Sequence, residues 1–499
     1  MASRLEQKSV ASAGVIWSIP PETLSEILVR CLDAKTPRKR PKYASNSQAA
    51  SAVELSSHNF PLYLTEISSW WRQVALSTPA LWTSVQLSLT DRSAQQNSRI
   101  LGLTDFWLKR GIKGKLEIDV ACFFPFPYDS SGEAASLGHL VDRYSVDLRL
   151  ICLTGLPDVV LQRIHQTLAH NSFDNVEEIE LEASTLEVWS TRFDALETLP
   201  CLRKVCLGTQ DTIHDTVLHD LKLLFLPWHQ LTHFCVSNPT APSICLDILR
   251  QCPQLEFVKL SLIAMSFKDA PSLTLPNLCR LQLYMFPAVF DPFLDTLHLP
   301  SLYDLNLSLS SLPPWNPLHS DFWRRHAAQL RQLALQTPAM PVPFSRVFHT
   351  MSQTSSLTLK TRMTPELLGR WCREAEPLLP ALTHLDLQII YPLDISLLNC
   401  VRMILAFLTE RRNPPPRSTL DWLLSKPARL ERVELHDATD YHMRSCELIG
   451  MDGSLAVAME IEFDRIRALK TGGLDLQWEI DGKDILVSRD APVGSEMDA

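Results

Sequence analysis

Glycine is scarce in this sequence, with 15 residues against 34 prolines in 499. Loops that cradle phosphate are built on glycine, so nucleotide chemistry is disfavoured from the start. Positive charge is also lacking. The net charge of -9 leaves no basic domain or stripe of the kind that holds a nucleic acid backbone, so nucleic acid is not an expected partner. The 12 cysteines include no CxxC pair, and Cys152, Cys206, Cys235 and Cys279 stand among apolar neighbours. They read as buried thiols in a reducing compartment. No apolar run approaches the roughly 18 residues that cross a bilayer. The longest candidate, Leu397 to Leu408, is interrupted by Asn399 and Arg402, and the opening MASRLEQKSV has no apolar signal core. No membrane contact is expected, and the cytoplasm, the nucleus or both are the expected location.

Catalytic motifs are missing as well. No GxxxxGK[ST], GxGxxG, HExxH, GxSxG or HRD-type segment occurs, and no cysteines and histidines fall at zinc spacing. The 15 histidines fall singly, and His165 and His170, though on one expected helix, have no third ligand nearby. Asn306-Leu307-Ser308 has the form of a glycosylation sequon, but Leu307 is an expected core residue. The expectation is a non-catalytic chain with no metal and no cofactor. An enzyme with an unrecognised site remains a third-ranked alternative.

What the sequence does have is repetition. A chain this long exceeds a single core unless the core grows by repeats. A phrase L-x-x-L-x-L, often preceded by proline, ends at Leu181, Leu207, Val236, Leu260, Leu283, Leu307, Leu335, Leu359, Leu387 and Leu435. The intervals are 23 to 29 residues except for a last one of 48, read as two periods with one copy lost. The pattern resembles leucine-rich repeats. Each unit would supply a short strand with its leucines inward and a return segment to cover them. Return segments 215–226, 244–251 and 365–379 have helical spacing. Asparagine is missing almost everywhere from its usual place after the last leucine of each copy, Asn238 being the nearest exception, so the turns are expected to be irregular. Residues 91–170, with Leu103, Phe106, Trp107 and Leu108 on one helix, read as diverged opening repeats. Leu474, Leu476, Trp478 and Ile480 alternate ahead of Asp481-Gly482, a hairpin signal at the far edge.

Ahead of the repeats, WSIPPETLSEILVRCL places Leu24, Ile27, Leu28 and Cys31 at helical spacing behind a proline start. A second helix is expected over LYLTEISSWWRQVALSTPALW, with Leu64, Ile67, Trp71, Val74 and Ala75 on one stripe and Pro79 as its stop. Trp71 and Trp82 are assigned to packing. Two such helices leave apolar surface over, which points to a partner. Ile19-Pro20-Pro21-Glu22, Ile27-Leu28, Trp71-Arg72-Gln73-Val74-Ala75 and Thr78-Pro79-Ala80-Leu81-Trp82 resemble the F-box-like motif common in basidiomycete fungi. Two departures are a polar insertion at 33–57 and Ile67-Ser68-Ser69-Trp70 in place of the usual Val-Cys and basic residues.

The resemblance implies a three-helix domain that docks on a Skp-type adaptor, and through it a cullin, with Ile19, Pro20, Leu24, Ile27 and Leu28 as adaptor-binding positions. The chain would then be the substrate receptor of an SCF-type ubiquitin ligase. The alternatives are a helical cap on the solenoid and a ligase-independent repeat scaffold. The expected fold is α/β: disordered 1–16, an F-box-like module at 17–90, an irregular leucine-rich-repeat horseshoe with a parallel curved sheet at 91–450, a capping segment at 451–489 and a disordered tail at 490–499. The run Lys35 to Lys42 carries five positive charges in eight residues, compatible with an import signal or a solvated loop.

If the leucines point inward, the third and fifth residues of each copy must face outward together. Basic residues on that face lie mainly between Lys204 and Arg280. Lys204, Phe257, Lys259 and Arg280 are therefore the expected target-binding residues, an aromatic anchor among cations suited to an acidic or phosphorylated segment of a protein target.

Overall fold

The computed structural model describes residues 19–34, 60–90, 94–123, 131–156, 158–170, 172–183, 196–209, 225–263, 270–285, 292–309, 321–339, 350–362, 379–390, 430–437, 453–480 and 483–484, with single positions at 348, 402, 405–406 and 408–409. The run 35–42, most of the return segments 215–226 and 365–379, Asp481-Gly482, the first 16 residues and the tail lie outside them. The chain divides into two compact units, residues 1–238 and 239–499.

The first unit opens with α1 (Pro21–Ala34), α2 (Phe60–Ile67) and α3 (Ser69–Leu76). One continuous helix was expected across the last two; Ser68 breaks it. Its backbone is extended, at φ -162 and ψ 166, and its Oγ accepts the Trp71 N–H, so a new helix starts there. The break turns the stripe: Leu64, Val74 and Ala75 are buried, whereas Ile67 is 59% exposed and Trp71 only half-buried. After a 3-10 turn at Pro79–Trp82 the chain enters the sheet. Thr78 Oγ1 donates to the Val74 carbonyl, 2.7 Å, so the 2.9 Å contact with Ser25 Oγ has Ser25 as donor and ties α1 to α3.

Trp82 forms the seam between these helices and the repeats. It is fully buried, its indole N–H donates to the Ala75 carbonyl at 2.7 Å, and its ring stands edge-on to Trp107 at 5.0 Å. Gly111 keeps the seam closed, since a Cβ there would fall 2.8 Å from the Trp82 carbonyl oxygen and 2.4 Å from Leu116.

Six parallel strands follow in sequence order: β1 (Ser84–Thr90), β2 (Leu116–Phe123), β3 (Leu148–Leu156), β4 (Glu178–Ala183), β5 (Lys204–Thr209) and β6 (His233–Thr240). Between the early ones run α4 (Ala94–Leu108), α5 (Ser131–Arg143) and α6 (Asp158–His170). The sheet therefore begins inside the segment assigned to the helical module, seven residues before position 91.

In the second unit α7 (Pro242–Leu249) precedes β7 (Phe257–Leu262), β8 (Leu273–Thr274), β9 (Arg280–Met285), β10 (Leu297–His298) and β11 (Asp304–Leu309). Then come α8 (Asp321–His326), β12 (Gln332–Ala339), β13 (Ser356–Arg362), β14 (His384–Ile390), β15 (Arg432–Asp437), α9 (Gly453–Thr471), β16 (Asp475–Ile480) and β17 (Lys483–Asp484). The parallel order is β7-β9-β11-β12-β13-β14-β15-β16, while β8 and β10 form a separate two-stranded pair on the return side. This is a mixed α/β architecture compatible with a repeat solenoid. All ten copies of the leucine phrase form strands. β14 and β15 pair directly, so no strand of the sheet stands between them where a lost or unrecognised copy was expected. β17 closes antiparallel on β16 as the hairpin signal predicts. α9 ends in a Schellman motif: Gly473, at φ 91, bonds Lys470 and Leu474 bonds Leu469, which delivers Leu474 to the core.

Successive repeats are locked by a shared acceptor just before each strand. The Glu177 carbonyl receives both Arg203 N–H and Lys204 N–H, the Arg203 carbonyl receives Thr232 and His233, and the Cys279 carbonyl receives Tyr303 and Asp304. The same pairs recur at Tyr303, Arg331, Ser355 and Thr383. Side chains ahead of the strands take over the work of the missing asparagines. Gln230 Nε2 donates to the Leu199 and Leu202 carbonyls, Gln329 Nε2 to Leu299, and Asn277 Nδ2 to Pro253.

His326 is a buried tie of the same kind. Its Nδ1 donates to the Phe322 carbonyl and its Nε2 accepts the Leu299 N–H, both at 2.9 Å. Acceptance at Nε2 requires a neutral ring, and burial lowers its pKa from 6.5 to about 4.

Two outcomes follow from this packing. Trp82→Ala should cost about 3 to 5 kcal/mol, read as a lowered denaturant midpoint; an unchanged midpoint would place the ring outside the core. His326 takes up a proton in the unfolded chain before it does so in the folded one. Its contribution is therefore whole above about pH 6.5 and lost as pH falls toward about 4. Urea midpoints should fall more steeply over that window for wild type than for His326→Gln, and parallel slopes would contradict the assignment.

Candidate functional site

Two surfaces stand out, one in each unit. On the helical module, Leu24 and Leu28 are buried at 1% and 2% exposure, which removes them from the expected adaptor-binding set. A helix this short presents only one face to its neighbours, and α3 and the 3-10 turn already occupy that one. Ile27 points the other way at 44% exposure, Pro20 is exposed and Ile19 half-buried. Three further apolar side chains are unpartnered: Tyr63 at 61% and Ile67 at 59%, one turn apart on α2, and Leu76 on α3. Sequence reasoning missed Tyr63 and Leu76 and buried Ile67, because the break at Ser68 reassigns faces that a single helix would have fixed. On α3, Ser69, Arg72, Gln73, Leu76 and Ser77 line a depression of about 430 Å³. The Arg72 Nε donates to the Thr65 carbonyl at 2.8 Å, bracing α2 against α3.

The second surface is the outward face of the strands. The leucines are buried and the residues between them are not, as in β11, where Leu305, Leu307 and Leu309 are core while Asp304, Asn306 and Ser308 are accessible. Register aligns those accessible residues in rows. Phe257, Arg280, Asp304, Gln332, Ser356 and His384 form one row, and Lys259, Gln282, Asn306, Ala334, Thr358 and Asp386 form the next.

Phe257, Lys259 and Arg280 are thus brought together on β7 and β9. The Arg280 guanidinium lies 5.1 Å from the Phe257 ring centre. Asp304, next in the row, has its pKa raised by burial, an effect that the Arg280 charge only partly opposes. Lys259 is exposed and makes no ion pair among the described residues. Tyr284, 37% exposed and two residues beyond Gln282 on β9, extends the same face and was not singled out from sequence. Lys204 belongs to the first unit, where Glu178 Oε2 lies 3.6 Å from its Nζ and offsets its charge. Nearby, Arg149 is held between Glu117 and Glu177.

Among the described residues no group of three or more histidine, cysteine or acidic side chains could hold a metal. Burial pushes the Cys122 and Cys252 thiols up to about 12 and the Cys245 thiol further in the same direction, so these three are unreactive core groups. No described helix is long and apolar enough to cross a membrane.

Reversing the charges in the double variant Lys259→Glu, Arg280→Glu should lower the thermal midpoint only slightly, because both side chains are exposed and the cost is the Arg280–Phe257 contact and a carboxylate set opposite Asp304. The same variant should slow association with an acidic partner and flatten its salt dependence. Recovery of the same partners by wild type and variant would place recognition elsewhere. Set against models of known protein families and against curated proteins, the sequence matches none.

Proposed function

We propose that the chain is a non-catalytic recognition protein, the substrate-receptor subunit of an SCF-type cullin ubiquitin ligase. The helical module would contact a Skp-type adaptor, and the strand face would present a protein target to a conjugating enzyme held by other subunits. The cytoplasm, the nucleus or both are the proposed locations. The observation that carries the reading is the apolar side chains left unpartnered on three short helices, Ile27, Tyr63, Ile67 and Leu76. Isolated exposed apolar residues are ordinary, but four on about 30 helical residues mark a contact.

The runner-up is a ligase-independent repeat scaffold with the helices as a cap. It is favoured by the Trp82 seam, which joins the helices to α4 as a cap would be joined.

The two readings separate on a co-purification of the tagged full chain with an adaptor. Ile27→Asp and Ile67→Asp change exposed positions, so each should abolish adaptor recovery while keeping the wild-type thermal midpoint. Leu28→Asp buries a carboxylate and should instead lower that midpoint. Equal adaptor recovery with wild type and both exposed-site variants would overturn the ligase reading.

A further inference from the structure

We infer that Cys206 and Cys235 form a redox-active dithiol on the strand face of the first unit, a modification site that a hydroperoxide converts to an intramolecular disulfide. The two are register partners on the neighbouring parallel strands β5 and β6. Their neighbours Val205, Leu207, Phe234 and Val236 are core residues, so by strand alternation both thiols leave on the opposite face, together. Hydrogen-bonded strands run about 4.8 Å apart, within the roughly 4.4 to 6.8 Å of Cα separation that disulfides span. No other two described cysteines are register partners; Cys152 lies in the same row, but Glu180 stands between it and Cys206.

The surroundings differ from those of the core thiols. Lys204 and His233, themselves register partners, sit two residues before each cysteine and so on the same face, where the Lys204 ammonium favours a thiolate. Opposing them are Glu178, 3.6 Å from the Lys204 Nζ, and Glu180, the register partner of Cys206 on β4. The His233 Nδ1 is engaged by Thr232 Oγ1 at 2.9 Å. Cys206 is half-buried and Cys235 is 8% exposed, so a small oxidant in water reaches Cys206 first.

The chemistry closes without any other reagent. The Cys206 thiolate attacks one peroxide oxygen, the O–O bond breaks, and the departing hydroxide or alkoxide takes up a proton. Cys206 is left as a sulfenic acid. The Cys235 sulfur then attacks the Cys206 sulfur; the S–S bond forms, the S–O bond breaks, and water leaves with the Cys235 proton. Two thiols lose two electrons in all and one peroxide gains them. A disulfide draws its Cβ atoms to about 3.8 Å, closer than in-register strands hold them, so the bond is strained and readily reduced again. That suits a reversible switch better than a permanent staple.

The test is a dose series of hydrogen peroxide on the reduced full-length chain, stopped by alkylation and followed by peptide mapping. The expected result is a Cys206–Cys235 cross-linked peptide at the lowest dose that modifies any cysteine, reversed by dithiothreitol. In Cys235→Ala, Cys206 should accumulate as sulfenic and then sulfinic acid. The proposal is overturned if both residues are recovered alkylated at doses that oxidise the exposed Cys31 or Cys201, if wild-type Cys206 stops at sulfinic acid, or if either cysteine cross-links elsewhere. The wild-type map decides the matter even if the variant folds poorly.

Discussion

Most repeats from β4 onward depend on one backbone carbonyl, the one just before the strand, which accepts two N–H groups from the next repeat. Arg203, Cys279, Tyr303, Arg331, Ser355 and Thr383 all supply it. A carbonyl oxygen has two lone pairs, and this arrangement fills both while fixing the next strand's starting point. Where strands begin from this bond the register is set at their entry, and the pairings stay in step from there except for a shift after Gln336 on β12. A slip by one residue would send every leucine to water and every polar side chain into the core. The ladder thus converts a loosely kept leucine phrase into ordered rows on the outward face.

Those rows are where chemistry can accumulate. Phe257 and Arg280 are 23 positions apart in sequence and become neighbours only because β7 and β9 share that register. Cys206 and Cys235 are joined in the same way on β5 and β6. The helical module follows different rules, because it has no ladder to join. Its helices pack through buried Leu24, Leu28, Leu64, Val74 and Ala75, with Ser25–Thr78 and Trp82–Ala75 bonds on the inner side and Arg72–Thr65 at the surface, and they leave Ile27, Tyr63 and Ile67 facing outward. Rigid contact on one side and apolar exposure on the other is the arrangement expected of a docking element.

The long return between β14 and β15 and the turns without asparagine show how tolerant this plan is. Only the strand and its entry carbonyl must be kept. What covers the strands can be a helix such as α7, the small β8–β10 pair, or a buried histidine bridging Leu299 and Phe322. The covering elements differ from repeat to repeat, which is why the return segments share little pattern.

The sequence by itself determined the strands and their inward leucines, because period-two alternation between fixed apolar positions has one burial solution once the strands stack. It also determined which residues face outward, since these are what remains. It did not determine the helical module's faces. There Leu28 and Ile27 are adjacent letters on one apolar stripe, and the choice between core and surface was made by where α3 and Trp82 arrive. The split at Ser68 likewise turned on a side-chain oxygen capturing the Trp71 N–H, a local competition with the helix ladder that periodicity does not register. The thiol pair needed tertiary structure for the same reason as the Phe257–Arg280 contact: residues 23 to 29 positions apart meet only when register is set. Register here is a property of carbonyls between repeats, not of the side chains that the sequence spells out.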